Sequence, residues 1–142
     1  LKAAQIAYKN SYAYEWQGDS LLLAREAMLV TFIENYNLKF GKEPPLTSIQ
    51  DIADIISWNV WQMDGLKCVI PNTCSDREMI GSEFQFSLFE TTKRIEKCEG
   101  CEKGNIKKHN GVYCFIKDWS NKDLKTGKTG RKIRFVDFLN GT

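Results

Sequence analysis

The chain has 142 residues, a net charge of +2 and 42% apolar residues, enough for one compact domain with its own core. No window approaches the ~20 apolar residues that a membrane span needs, and no secretory signal is visible. A cytoplasmic protein without membrane contact is therefore expected. The chain begins at Leu1, its first methionine is Met28, and its first helical pattern lacks a capping signal, so the sequence reads as a piece of something longer. The small net charge hides an asymmetry: residues 1–90 hold 7 basic and 12 acidic side chains, residues 91–142 hold 13 and 6. The basic part is a candidate for phosphate contact, with a solvated lysine-rich surface as the plain alternative.

A helical pattern runs from Lys2 to Asn10. Tyr12-Ala13-Tyr14-Glu15-Trp16 follows, a short aromatic run containing a carboxylate. It has the form of a strand that delivers Glu15 to the carboxyl edge of a sheet, where open α/β folds bind ligands. Asp19 and Ser20 precede the strongest helical pattern, in which Leu21, Ala24, Met28, Phe32 and Tyr36 recur every three or four residues, widened by Leu22, Leu29 and Ile33. Gly41 and Pro44-Pro45 stop it. Thr47, with Gln50 three residues on, predicts a capping box for a second helix whose buried stripe is Ile49, Ile52, Ala53 and Ile56. The run Ile55-Ile56-Ser57-Trp58-Asn59-Val60-Trp61-Gln62-Met63-Asp64-Gly65-Leu66 reads as a second strand ending in an acid and a glycine. Its residues 55–58 suit either element. Two strands, each ending in an acid and separated by helices, look like the middle of a nucleotide-type cofactor site.

From Pro71 the texture changes. Residues 72–83 are polar and irregular, and residues 83–89 alternate as a possible strand. Asn110-Gly111, between residues 106–109 and 112–116, is a two-residue hairpin signal. A Lys/Gly-rich loop over residues 121–130 leads to a last alternating strand over residues 132–138. The basic stretch from residue 117 to 134, interleaved with Trp119 and followed by Phe135, could track a phosphate backbone, weakly and without reading sequence. The expected fold class is α/β. Residues 1–71 form a partial cofactor-binding α/β region, and residues 72–142 a basic β-rich insertion with a cysteine cluster.

Five cysteines without a secretory signal favour thiols or a metal over a disulfide framework. Cys98-Glu99-Gly100-Cys101 has knuckle spacing and supplies half of a tetrahedral zinc site. The remaining ligands must come from Cys68, Cys74, His109 or Cys114. If Asn110-Gly111 forms a hairpin, His109 lies near its tip and Cys114 on the returning strand, nearer the knuckle. The expected set is therefore Cys74, Cys98, Cys101 and Cys114, with His109 as substitute for Cys114. Cys68 reads as a buried thiol, and five free thiols are the plain alternative.

Three segments resemble the adenine-specific DNA methyltransferases of bacterial restriction–modification systems, in the γ-type motif order. They are Tyr14-Glu15-Trp16-Gln17-Gly18-Asp19, the run from Ile55 to Leu66, and His109-Asn110-Gly111-Val112-Tyr113-Cys114. The resemblance covers most of the chain and implies a partial Rossmann-like methyltransferase sheet. It also implies S-adenosylmethionine as the parent protein's cofactor, DNA as its substrate and a restriction subunit as a possible partner. Glu15 would hold the cofactor ribose, Trp16 would stack on its adenine, and Asp64 would accept from the adenine amine. Gly65 would allow close backbone approach. Two family motifs are absent: the Gly-rich loop that cradles the methionine end, and the Asn/Asp-Pro-Pro-Tyr/Phe motif that positions the target amine. The one Pro-Pro, Pro44-Pro45, is flanked by Glu43 and Leu46. The chain is thus expected to be an internal fragment, inactive alone and without catalytic residues. Two other classes stand beside this reading. One is a zinc-ribbon-like module that binds DNA or protein. The other is a structural or oligomerisation domain whose homodimer buries the apolar stripe of residues 21–40.

Overall fold

The computed structural model describes residues 1–80 and 93–139. In chain order the elements are α1 (Lys2–Lys9), β1 (Ala13–Glu15), α2 (Gly18–Phe40), α3 (Leu46–Asn59), β2 (Val60–Gln62), β3 (Arg77–Ile80) and β4 (Lys93–Glu96). Then come α4 (Glu99–Lys103), β5 (Phe115–Lys122), β6 (Thr129–Arg134) and the single turn α5 (Phe135–Phe138). The architecture is mixed α/β. β1 pairs with β2 in parallel, Ala13 against Val60 and Glu15 against Gln62, while β3–β4 and β5–β6 are antiparallel pairs. Among the described residues the parallel sheet has two strands.

α2 and α3 are the crossover that a parallel pair requires. α2 starts earlier than its sequence pattern predicts: Gln17 is the N-cap, and Gly18 and Asp19 lie in the first turn. The acid there suits the positive end of the helix dipole. The expected capping box does not form. Pro45 is the N-cap of α3 and its carbonyl accepts from the backbone N–H of Ser48 (2.9 Å) and Ile49 (3.2 Å), which places Thr47 inside the helix. Residues 55–58 are helical, and the strand is confined to Val60–Gln62. Burial explains this: Ile52, Ile55 and Ile56 are buried together with Leu21, Phe32 and Val60 in the first core cluster. A fully buried aliphatic side chain contributes about 1.5–3 kcal/mol, and only the helical period presents these three to one face.

Asn59 fixes where helix gives way to strand. It is completely buried; its Nδ2 donates to the carbonyls of Tyr8 (2.8 Å) and Ser11 (3.1 Å), and its Oδ1 accepts from Trp119 Nε1 (2.7 Å). One amide thus ties the end of α1, the approach to β1 and the middle of β5 to the end of α3. Arg25 on α2 closes the same corner, donating from Nε to the Val60 carbonyl (2.8 Å) and from Nη2 to that of Ser57 (3.1 Å).

The second core cluster joins Trp61, Met63 and Cys68 to Cys114, Ile116 and Val136, so it draws on both sides of Pro71. The expected strand over residues 83–89 lies outside the described residues. Asn110-Gly111 is not a hairpin turn; the hairpin is β5–β6, closed by a loop in which Asp123 Oδ1 accepts from the N–H groups of Lys125 (3.0 Å) and Thr126 (2.8 Å). The last alternating strand is also shorter than expected, because at Phe135 the chain turns into α5 and buries Val136.

Candidate metal centre

Three loops converge beside the second core cluster. The first carries Cys74 just after Thr73, whose hydroxyl donates to the Ile70 carbonyl (2.6 Å) and accepts from Val112 N–H (3.0 Å). The second is the knuckle: Cys98 is the N-cap of α4 and Cys101 sits in its first turn, so the short helix turns both sulfurs towards one side. Asp76 Oδ1 accepts from Cys98 N–H (3.3 Å), which joins the first loop to the second. The third carries His109, whose backbone N–H donates to the Tyr113 hydroxyl (2.8 Å). Asn110 clips it to the first loop, donating from Nδ2 to the Ser75 carbonyl (2.6 Å) and accepting at Oδ1 from Ser75 N–H (3.3 Å).

These loops bring Cys74, Cys98, Cys101 and His109 together, with all four ligand atoms within 4.8 Å of one another. Cys74 Sγ lies 3.0 Å from Cys98 Sγ and 3.5 Å from Cys101 Sγ. His109 Nδ1 lies 3.5 Å from Cys74 Sγ and 3.6 Å from each of the other two sulfurs. A tetrahedral zinc with bonds of about 2.3 Å to sulfur and about 2.0–2.1 Å to nitrogen has edges of roughly 3.5–3.8 Å. Four of these five distances are close to that range, and a bound ion would open the shorter Cys74–Cys98 edge. The set is a Cys3His cluster that can hold a metal such as zinc. Four protein ligands leave no position for water or substrate, which is the form of a structural site rather than a catalytic one.

The surroundings suit a thiolate. Burial pushes the Cys98 thiol up, but hydrogen bonds from the Cys74 thiol, the Asn110 and Cys101 N–H groups and His109 outweigh it and bring Cys98 down to about 6. Cys74 is pushed up to about 11, first by burial and then by its bonds to Cys98 and Cys101 and their charge. Metal binding must therefore expel a proton. Gly100 is required by close packing: a Cβ there would lie 2.6 Å from His109 N and 2.7 Å from its ring Cγ and Nδ1.

The fourth ligand differs from the sequence expectation. Cys114 is buried in the second core cluster, and its Sγ donates to the Gln62 carbonyl (3.2 Å). Its thiol is pushed up to about 11, by burial and then by Cys68. The cause is the missing hairpin. After Gly111 the chain pairs instead with the segment after Asp64, Val69 bridging Tyr113, and this carries Cys114 away from the knuckle. Cys68, expected as a buried thiol, is one. Sequence reasoning missed Asn110 as the loop clip and Gly100 as the seat of the imidazole. The glycine inside the knuckle was the available signal.

The expected cofactor residues lie elsewhere, at the carboxyl ends of β1 and β2. Glu15 is the last residue of β1; its Oε1 accepts from the N–H of Trp16 (2.8 Å) and Gln17 (3.3 Å), leaving Oε2 without a protein partner among the described residues. The pairing continues one step beyond β2, Met63 N–H donating to the Glu15 carbonyl (3.0 Å), so Asp64 follows at the same edge. Asp64 is buried, and its Oδ1 accepts from the N–H of Leu66 (3.0 Å) and Lys67 (3.2 Å), an Asx-type turn. Trp16 is 47% exposed. Gly65 is closely approached, but by Tyr14: a Cβ would lie 2.5 Å from that ring.

No protein-family model, curated protein or solved structure matches the chain. No described helix is long and apolar enough to cross a membrane.

Proposed function

We propose that the chain is part of an S-adenosylmethionine-dependent DNA adenine methyltransferase. In this reading it supplies the adenosine end of the cofactor site, stapled beside it by one zinc ion. The observation that carries the reading is the parallel pairing of β1 with β2, which puts Glu15 and Asp64 at one carboxyl edge after a helical crossover. Ligands of open α/β folds bind at such an edge. Glu15 would accept from the ribose hydroxyls at the oxygen its own turn leaves free. Asp64 would accept from the adenine amine at the oxygen its turn does not use, and exposed Trp16 would stack on the base. The zinc, in a closed four-ligand site, holds the loops and takes no part in methyl transfer. Cradling of the methionine end and positioning of the target adenine belong to motifs that these 142 residues do not contain, so this chain is assigned no catalytic residue.

Calorimetric titration of the parent protein with S-adenosylhomocysteine tests the assignment. Glu15→Ala should weaken binding by about 1.5–3 kcal/mol, the scale of a hydrogen bond to a charged acceptor, with the circular dichroism unchanged. Unaltered affinity would reject it. The Cys3His cluster would then favour the second reading, a zinc-ribbon-like module that binds DNA or protein.

A further inference from the structure

One face of the β5–β6 hairpin carries an alternating row of cations and aromatic rings that neither the metal centre nor the cofactor reading uses. Lys9 Nζ lies 5.3 Å from the ring centroid of Trp119, and Lys117 Nζ lies 5.0 Å from the same ring and 4.8 Å from that of Trp58. Lys132 Nζ lies 5.8 Å from Trp58 and 4.4 Å from Phe115. The order is Lys9, Trp119, Lys117, Trp58, Lys132, Phe115, with α1, α3, β5 and β6 all contributing. Strand register explains the placement: Lys117 stands directly opposite Lys132, and residues alternating along β5 share its face.

The row is electrostatically unbalanced. Like charges directly opposite on paired strands destabilise a sheet, yet Lys117 and Lys132 both lie over one indole. Asp54, 3.0 Å from Lys117, is the one carboxylate paired with the row among the described residues; Lys9 and Lys132 have none there. The rings are placed rather than loose, since Trp119 Nε1 is bonded to buried Asn59 (2.7 Å). Phe115 is 43% exposed and Lys132 is exposed. Flexible lysine stems hold their ammonium groups over ring faces, from which they can move to a nearby anion while another π-face takes their place.

We propose that this row binds single-stranded nucleic acid, with phosphates on Lys9, Lys117 and Lys132 and bases stacked on Trp58 and Phe115. Alternating cations and rings match a strand that presents a phosphate and an unpaired base in each repeat. A duplex hides its base faces, so it could use only the cations. The proposal goes beyond the cofactor reading and stands without it, because a chain that binds no S-adenosylhomocysteine would still carry the row.

The test is fluorescence anisotropy of a dye-labelled oligothymidylate titrated with the zinc-loaded chain across a range of salt. Binding should weaken with salt, and Lys9→Gln and Lys132→Gln should each lower the slope of log affinity against log salt by roughly 0.7, the single-strand value per phosphate contact. Lys132→Arg should restore it. Trp58→Leu should weaken binding roughly 10-fold, within the range for a lost stacking partner, with the slope unchanged. Should circular dichroism show Trp58→Leu unfolded, Phe115→Leu supplies the same comparison at an exposed ring. A duplex of equal length should bind more weakly. The proposal is overturned by absence of binding at low salt, by slopes the lysine variants leave unchanged, or by a duplex or phosphatidylserine vesicles binding as tightly as the oligothymidylate.

Discussion

His109 and Cys114 lie on one short stretch of chain and end in different surroundings. The imidazole, seated against Gly100, faces three sulfurs, while the Cys114 thiol is buried and bonded to a carbonyl of β2's last residue. His109→Ala should therefore bring the metal content of purified protein from about one ion per chain on the four-ligand model to near none. Cys114→Ala should leave it unchanged. Elemental analysis of the two variants decides the matter, and the opposite pattern would return the site to the all-cysteine set. Acid competes for the same sulfurs. Cys74, whose thiol is pushed up to about 11, must lose its proton to bind, so occupancy is retained at higher pH and falls as the pH drops.

At the scale of elements, the junction between α3 and β2 depends on Asn59. Replacing it by Ala would leave the carbonyls of Tyr8 and Ser11 and the indole N–H of Trp119 without that partner in a buried corner. Each unsatisfied buried group costs about 1–3 kcal/mol. Asn59→Ala should accordingly lower stability in urea by about 2–4 kcal/mol, whereas Leu38→Ala, at an 86% exposed position, should stay within about 0.5 kcal/mol. Equal effects would mean that Asn59 is not the hub described. The same junction shows what the sequence could reveal. α2 and α3 were legible because packing one face on the first core cluster imposes a period on the apolar residues, although Leu22 and Ala24, expected in the α2 stripe, are exposed. The end of α3 was not, because Ile55, Ile56 and Trp58 are apolar in either state and the deciding contacts of Asn59 run to residues far away in the chain. Thr47 and Asn110-Gly111 failed differently. Each carries a strong local signal, for a cap and for a turn, and each is overridden: by the Pro45 carbonyl, and by the pull of Asn110 onto the Cys74 loop. The alternation over residues 132–138 likewise could not reveal that burying Val136 would bend the chain into α5. Spacing supplied Cys98 and Cys101, and Cys74 joins them as expected; His109, held as the substitute, takes the place of Cys114, whose choice depended on a hairpin that does not form.

Across the whole molecule, the first core cluster and the metal loops are built from different residues and joined through the second cluster. Removing the metal should therefore act locally. Treatment with a chelator should speed amide exchange at Gly100, Asn110 and Val112, whose N–H groups bond within or beside the three loops, and leave α2 protected. Uniform loss of protection would mean that the metal holds the whole fold. Small folds that lack a large core often rely on such a crosslink, since the binding energy of a structural zinc is also folding energy. The centre itself is tested most directly by X-ray absorption at the zinc edge on reduced protein never exposed to chelator. The expected result is one zinc with three sulfurs at about 2.3 Å and one nitrogen at about 2.0–2.1 Å. Four sulfurs, or protein that binds no zinc, would contradict it.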